Sequence, residues 1–233
     1  MKVTKGRKLL ILGVLLVVID QVIKVLVKTG LPLGGGFNVI GDWFRIYFIE
    51  NEGMAFGMKF GGGVGKFLLS LFRIGLFAAL VWWISRLIKK PDTPFGVAVG
   101  LTLIAAGAMG NIIDCYFYGL IFSESTFNEV ASFGGHYAPF MFGKVVDMFY
   151  FPLIDTTFPD WMPVIGGRPF RFFEPVFNFA DSCVTCGALY LIIFQYRFFA
   201  KEDSKDAARD SSKDAHRDVS KNATRDSSKS RKV

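Results

Sequence analysis

Two aspartates stand in apolar surroundings. Asp147 lies in GKVVDMFYFP, and Asp181 lies thirty-four residues later in FNFADSC, at the head of a run apolar enough to enter a membrane. An ionisable side chain in such a place is costly and is a functional hypothesis by default. Two carboxylates held within a few ångströms do not both ionise easily, so one keeps a proton while the other acts as base. Such a pair titrates as one coupled system. It would take a proton from water, and that water would attack a peptide carbonyl polarised by the protonated partner. Intramembrane carboxylates also serve proton- or ion-coupled transporters, and that reading stands as the alternative. Against it, the chain shows no evident inverted repeat and no Gly/Pro break at mid-depth of a span.

Further polar residues fall at the same level. Asp20, Gln21 and Lys24 sit in the first apolar run, and Asp20 and Lys24, four apart, share a helical face and can pair. Asn111 and Asp114 close the third run, and Asn178 opens the fourth. With the chain direction alternating from span to span, all of these lie toward one end of the bundle and form a single layer. A metal hydrolase is not expected. The only histidines are His136 and His216, and no H-E-x-x-H occurs. No metal or other cofactor is implied. A Ser182–Lys24 nucleophile pair is disfavoured, because Asp20 is the nearer partner of Lys24 and consecutive residues 181 and 182 point different ways on a helix. Cys115, Cys183 and Cys186 are an odd count, and the C-x-x-C spacing falls inside an apolar helix, where small packing residues are expected.

The elements that must hold this layer follow from composition. The 233 residues are 52% hydrophobic with 26 Phe and a net charge of +7, and the mean hydropathy is +0.38. The positive charge is confined to the N-terminus, one short loop and the tail, which fits basic flanks of membrane spans and not a nucleic-acid-binding face. A span needs about 20 mostly apolar residues. Four stretches qualify: Leu9–Val27, Phe67–Ile88, Phe95–Phe117 and Asn178–Phe199. The first follows Lys2, Lys5, Arg7 and Lys8 as a signal peptide would, but it has no small-residue cleavage site and is expected to remain as an anchor. Placing these residues, Arg86 with Lys89 and Lys90, and Arg197 with Lys201 all in the cytoplasm gives four helices with both termini inside. The first outer segment, FNVIGDWFRIYFIENEGMAFG, reads as a short, partly strand-like platform. The second, 118–176, is rich in Phe, Pro and Tyr, which suit the membrane interface. The tail repeats SKDAARDS, SKDAHRDV and SKNATRDS with almost nothing apolar to bury. The expected fold is therefore a membrane all-α domain over 1–200 with a disordered cytoplasmic extension over 201–233.

Five boxes carry a resemblance: DQVIK (20–24), NEGMAFG (51–57), GNIID (110–114), VVDMF (145–149) and FNFADS (177–182). In this order on four spans they resemble the prolipoprotein (type II) signal peptidases, bacterial inner-membrane aspartyl proteases. The resemblance implies four transmembrane helices with a small extracytoplasmic β-like cradle and a short extracytoplasmic helix. It implies cleavage of diacylglyceryl-modified prolipoproteins just before the lipidated cysteine, on the outer side of the cytoplasmic membrane. Neither metal nor nucleic acid takes part, and the enzyme is expected to act as a monomer among membrane lipids. Asp147 and Asp181 would be the catalytic pair. Asp20, Lys24, Asn51, Gly53, Asn111, Asp114, Asn178 and Ala180 would order the site or hold substrate. Three departures stand out. Cys115 occupies the place of the family's usual Arg, whose contact is lost or supplied from elsewhere, by Lys144 or Arg171. Segments 118–144 and 151–172 are longer than usual. The repetitive tail has no counterpart.

Overall fold

The computed structural model describes residues 4–52, 62–172 and 174–200. Gly53 and the tail 201–233 lie outside the described residues. The chain divides into two units, Met1–Leu189 and Tyr190–Val233, and the first holds every residue of the polar layer that is described.

Among the described residues, three helices are long and apolar enough to cross a membrane. Helix α1 spans Lys5–Gly30 with mean hydropathy 2.6 over its best window; α2 spans Gly62–Leu87 with 2.0. Helix α3, Phe95–Ile113, runs on through a π-helical turn, Asp114–Tyr118, into α4, Gly119–Ile121; the combined segment has hydropathy 1.8. Thr4 caps α1, its side chain accepting from the amide of Arg7. The fourth apolar helix, α5, covers Phe179–Phe194. Its sixteen residues rise about 24 Å, short of the roughly 30 Å hydrocarbon core. The sequence places an end at Phe199; α5 is interrupted at a bend at Gln195, after which residues 196–200 are helical again. Leu68, Leu71, Phe72, Leu76 and Trp82 point outward from α2, a face that suits lipid and not water.

Helix α3 is the centre of the bundle and packs against both α1 and α2. Its inward face is built from small residues, Ala98, Gly100, Ala105, Ala106, Gly107 and Gly110. Two of these glycines are fixed by close approach. A Cβ on Gly107 would strike the carbonyl of Ala180, and one on Gly110 would strike the carboxylate of Asp20. The bare backbone of α3 therefore lets the first turn of α5 come in against α1.

The platform expected from the sequence is a four-stranded antiparallel sheet in the order β1-β2-β3-β6. Its strands are β1 (Gly36–Ile40), β2 (Phe44–Asn51), β3 (Val145–Tyr150) and β6 (Val176–Phe177). Phe48, Val146 and Met148 turn one face into a core with Val27, Tyr118, Phe122 and Ala131, seating the sheet on the ends of α1 and α3. An irregularity between Ile46 and Ile49 resets the β2–β3 register, so that Ile49 lies opposite Asp147. The Asp147 segment is thus a buried central strand, where its apolar run is equally consistent with a short helix. Of the two long connecting segments, 118–144 folds back on itself through a Phe122–Phe133 bridge. The other forms a separate ribbon, β4 (Ile154–Thr157) with β5 (Pro169–Phe172). The short extracytoplasmic helix implied by the resemblance is not among the helices of the described residues, since α4 only continues α3.

Candidate active site

The site is built upward from one buried ammonium. Lys24 Nζ is fully enclosed and meets three acceptors: Asp20 Oδ2 at 3.0 Å, Asp114 Oδ2 at 2.7 Å and Asn111 Oδ1 at 2.7 Å. An ammonium has three protons to give, so this donor set is complete. Each acceptor then holds a different element. Asp20 Oδ1 accepts the backbone amide of Ala180 at 2.9 Å, which fixes the N-terminus of α5 against α1. That placement also sets a carboxylate at the positive end of a helix dipole. Asp114 Oδ2 accepts the amide of Val146 at 3.2 Å, which ties α3 to β3 one residue before Asp147. Asn111, its Oδ1 fixed by Lys24, is left with its Nδ2 pointing at Asp181 Oδ1, 2.8 Å away.

Asp181 is held a second time by its own helix. Asn178 precedes α5, and its Oδ1 accepts the amide of Asp181 at 2.9 Å; Asp181 Oδ2 accepts the amide of Asn178 at 3.3 Å. This reciprocal pair is the capping-box arrangement, with Asp in the place usually taken by Glu or Gln. Asn178 Nδ2 donates to Asp147 Oδ1 at 2.7 Å and to Asn111 Oδ1 at 3.1 Å. A side-chain hydrogen bond from Asn51, at the end of β2, completes the set around Asp147. Two asparagines thus bridge from the Lys24 centre to two carboxylates carried on a strand and on a helix start. Burial, together with the negative neighbour Asp181, pushes the Asp147 carboxyl up to about 7, against the pull of Asn178, Lys24 and Asn51.

Of the residues expected at the site, Asp20, Lys24, Asn51, Asn111, Asp114, Asp147, Asn178, Ala180 and Asp181 are brought together; Gly53 lies outside the described residues. The carboxyl layer read from the sequence is therefore one connected network. Gln21 belongs to it as well. Its Nε2 donates to Asp20, Asp114 and the Gly110 carbonyl, and its Oε1 accepts from Tyr118. Gln21 stands inside the DQVIK box, and a polar residue beside a buried Asp was the available signal. The π-helical turn was not legible. It leaves carbonyls free, and Gly143 donates to that of Cys115 at 2.8 Å and Met141 to that of Tyr116 at 3.3 Å, leading the chain into β3.

The cation expected near Cys115 comes from an unforeseen place. Arg73 of α2 donates from Nη1 to Cys115 Sγ at 3.2 Å. Lys144 instead lies 3.5 Å from Glu50 and 3.6 Å from Glu124. Cys115 and Cys183 are buried, Cys186 is exposed, and all three are free thiols.

Comparison with known proteins agrees over nearly the whole membrane portion. Residues 12–197 match the family model for signal peptidase (SPase) II. A lipoprotein signal peptidase of Porphyromonas gingivalis strain W83 is 46% identical over 194 residues, covering 82% of this chain and 84% of that protein. One from Amoebophilus asiaticus is 34% identical over 184 residues, covering 78% of this chain and 75% of that protein. In fold, the chain is similar to a solved bacterial membrane enzyme with TM-score 0.54 at 24% identity, covering 83% of this chain and 90% of that one. None of these supports a transporter. With its apolar helices, its small sheet and a match spanning the polar network from end to end, the chain belongs to the signal peptidase II family of multi-pass bacterial membrane proteases.

Proposed function

We propose that this protein removes the signal peptide from diacylglyceryl-modified prolipoproteins, cutting just before the lipidated cysteine, with Asp147 and Asp181 as an aspartic catalytic pair. One observation carries the reading: two carboxylates from separate elements are aimed by Asn178 and Asn111, which are both hydrogen-bonded through a single buried lysine centre. Near neutral pH Asp147 holds the shared proton, because burial and Asp181 both oppose its ionisation. Asp181 then takes a proton from a water placed between the pair. The water oxygen attacks the scissile carbonyl carbon, and Asp147 gives its proton to the carbonyl oxygen. Collapse of the tetrahedral species breaks the C–N bond as the proton held by Asp181 passes to the leaving amine, and Asp147 recovers its own from the hydroxyl.

The surroundings suit a lipidated substrate. Phe149 lies two residues from Asp147 and so on the same face of β3. Beside it Phe44 and Phe151 stack at 4.6 Å, Phe151 and Phe177 at 5.6 Å, and half-exposed Trp43 extends the aromatic surface. Acyl chains lying along these rings would hold the scissile bond at the depth of the pair, each buried CH₂ contributing about 0.8 kcal/mol. In this reading α1, α2, α3 and α5 all span the bacterial inner membrane, both termini are cytoplasmic, and the pair faces the outer side. The enzyme acts as a monomer, residues 1–200 form the peptidase domain, and 201–233 are a cytoplasmic extension. Incubation of purified protein with a diacylated precursor and its unlipidated twin tests the proposal. Efficient cleavage of the first alone, before the modified cysteine, is expected; equal cleavage of both by mass spectrometry would refute the role of lipid.

A further inference from the structure

A second buried ionic centre lies beyond the residues assigned so far. Asp20, Lys24 and Lys28 recur every fourth residue and form one stripe of α1. Lys28, like Lys24, is fully enclosed. Its ammonium forms a close ion pair with Glu50 Oε1 and donates to Ser125 Oγ at 2.8 Å; Ser125 in turn donates to Glu50 Oε1 at 2.9 Å. The rings of Tyr137 and Phe122 lie 4.9 and 5.5 Å from the ammonium. Ser125 is buried and its proton is already given to Glu50, so the Ser–Lys pair is no nucleophile.

Position in the chain tells what the centre governs. Glu50 directly precedes Asn51, which bonds to Asp147, and Glu50 pairs across the sheet with Val146, which directly precedes Asp147. Lys144, 3.5 Å from the second oxygen of Glu50, leads straight into β3, and its amide donates to the Tyr137 hydroxyl at 2.8 Å. Segment 118–144 therefore packs onto α1 and β2 through Ser125, Tyr137 and Phe122. It is pinned again where Leu33 donates to the Thr126 carbonyl at 2.9 Å. The strand that carries Asp147 and the strand that presents Asn51 to it both run from this one centre.

We propose that the Lys28–Glu50–Ser125 centre is a positioning device for the peptidase site, with Lys28 as the positioning residue that sets Asn51 against Asp147. The proposal rests on the assignment of Asp147 and Asp181 made above. Its signature is a titration. The groups facing Asp147 are Asp181 and Asn178 at the start of α5, Lys24 of α1 and Asn51 of β2. Of these, the Asn51 hydrogen bond favours the ionised carboxylate, so displacing Asn51 moves the ionisation of Asp147 upward.

The test uses the purified full-length enzyme and a diacylated precursor. Lys28→Met alone leaves the buried Glu50 carboxylate with only the more distant Lys144 to balance it and is expected to unfold the protein in part. Lys28→Met/Glu50→Gln removes both charges together and is the informative variant. Its kcat should fall about 10- to 100-fold with KM little changed, as a misplaced site requires. The alkaline limb of its pH–rate profile should move up by about half a unit or more. A double variant with the parent's kcat and alkaline limb overturns the proposal. So does one that unfolds outright, because the centre would then serve stability alone. A parent enzyme that cleaves nothing, or cleaves normally as Asp181→Asn, overturns the underlying assignment instead.

Discussion

Replacing Asp147 by Asn should abolish cleavage and yet make the protein more heat-stable, by an amount that depends on pH. The folded carboxyl titrates near 7 against an ordinary 3.8, chiefly because burial disfavours the charge. A carboxyl raised in this way contributes stability that is full below its unfolded value and lost as pH rises through its folded value. Asparagine imitates the protonated form at every pH. Between pH 5 and the folded titration near 7 lie two units, each about 1.4 kcal/mol, so the gain from the substitution should be about 3 kcal/mol larger at pH 8.5 than at pH 5. For a chain of this size that is a difference of about 6–12 °C in Tm. The assay is thermal unfolding of detergent-solubilised parent and variant, followed by the fluorescence of the four tryptophans. The reasoning fails if the difference in Tm between variant and parent is the same at both pH values, because Asp147 would then carry no excess charge penalty in the fold.

Two further outcomes follow from the packing and the charge pattern. Gly110→Ala would drive a methyl into the Asp20 carboxylate and against Ala180, so the start of α5 should shift and peptidase activity should fall at least about 100-fold; activity within twofold of the parent would refute the close approach. Single cysteines substituted at Asp155 and Lys90 should be reached by an impermeant thiol reagent from the outside and from the cytoplasm, respectively; the reverse labelling would overturn the orientation.

What was legible in the sequence was local. Asp20 and Lys24 are one turn apart, so that pair follows from α-helical geometry alone, whereas the reciprocal cap between Asn178 and Asp181 came from the structure. The alternation of spans put Asp20 and Lys24 at one level with Asn111, Asp114, Asn178 and Asp181. What was not legible depends on distant segments meeting. The hydrogen bond from Ala180 to Asp20 joins residues 160 apart, and no periodicity announces it. Asp147 sits in a run apolar enough for helix or strand, and only pairing with β2 decides between them. Arg73 reads as an isolated charge in a span until α3 brings Cys115 beside it. Lys28 reads as a flanking lysine at the end of a helix. Its burial follows only once segment 118–144 folds over it.

The dependence of the network on the first turn of α5 has a consequence for the newborn chain. Synthesis runs from the N-terminus, so Lys24, Asn111 and Asp147 all emerge before Asp181. At about 5–20 residues per second, the thirty-four residues between the aspartates take about 2–7 seconds to make. During that interval Asp20 has no helix start to hold, and Asn111 has no second carboxylate to aim. With Asp147 and Asp181 as the proposed pair, a partly translated protease would be inert toward its neighbours in the bilayer. It would be equally harmless to its own α1, whose basic flank and apolar stretch look like a signal sequence.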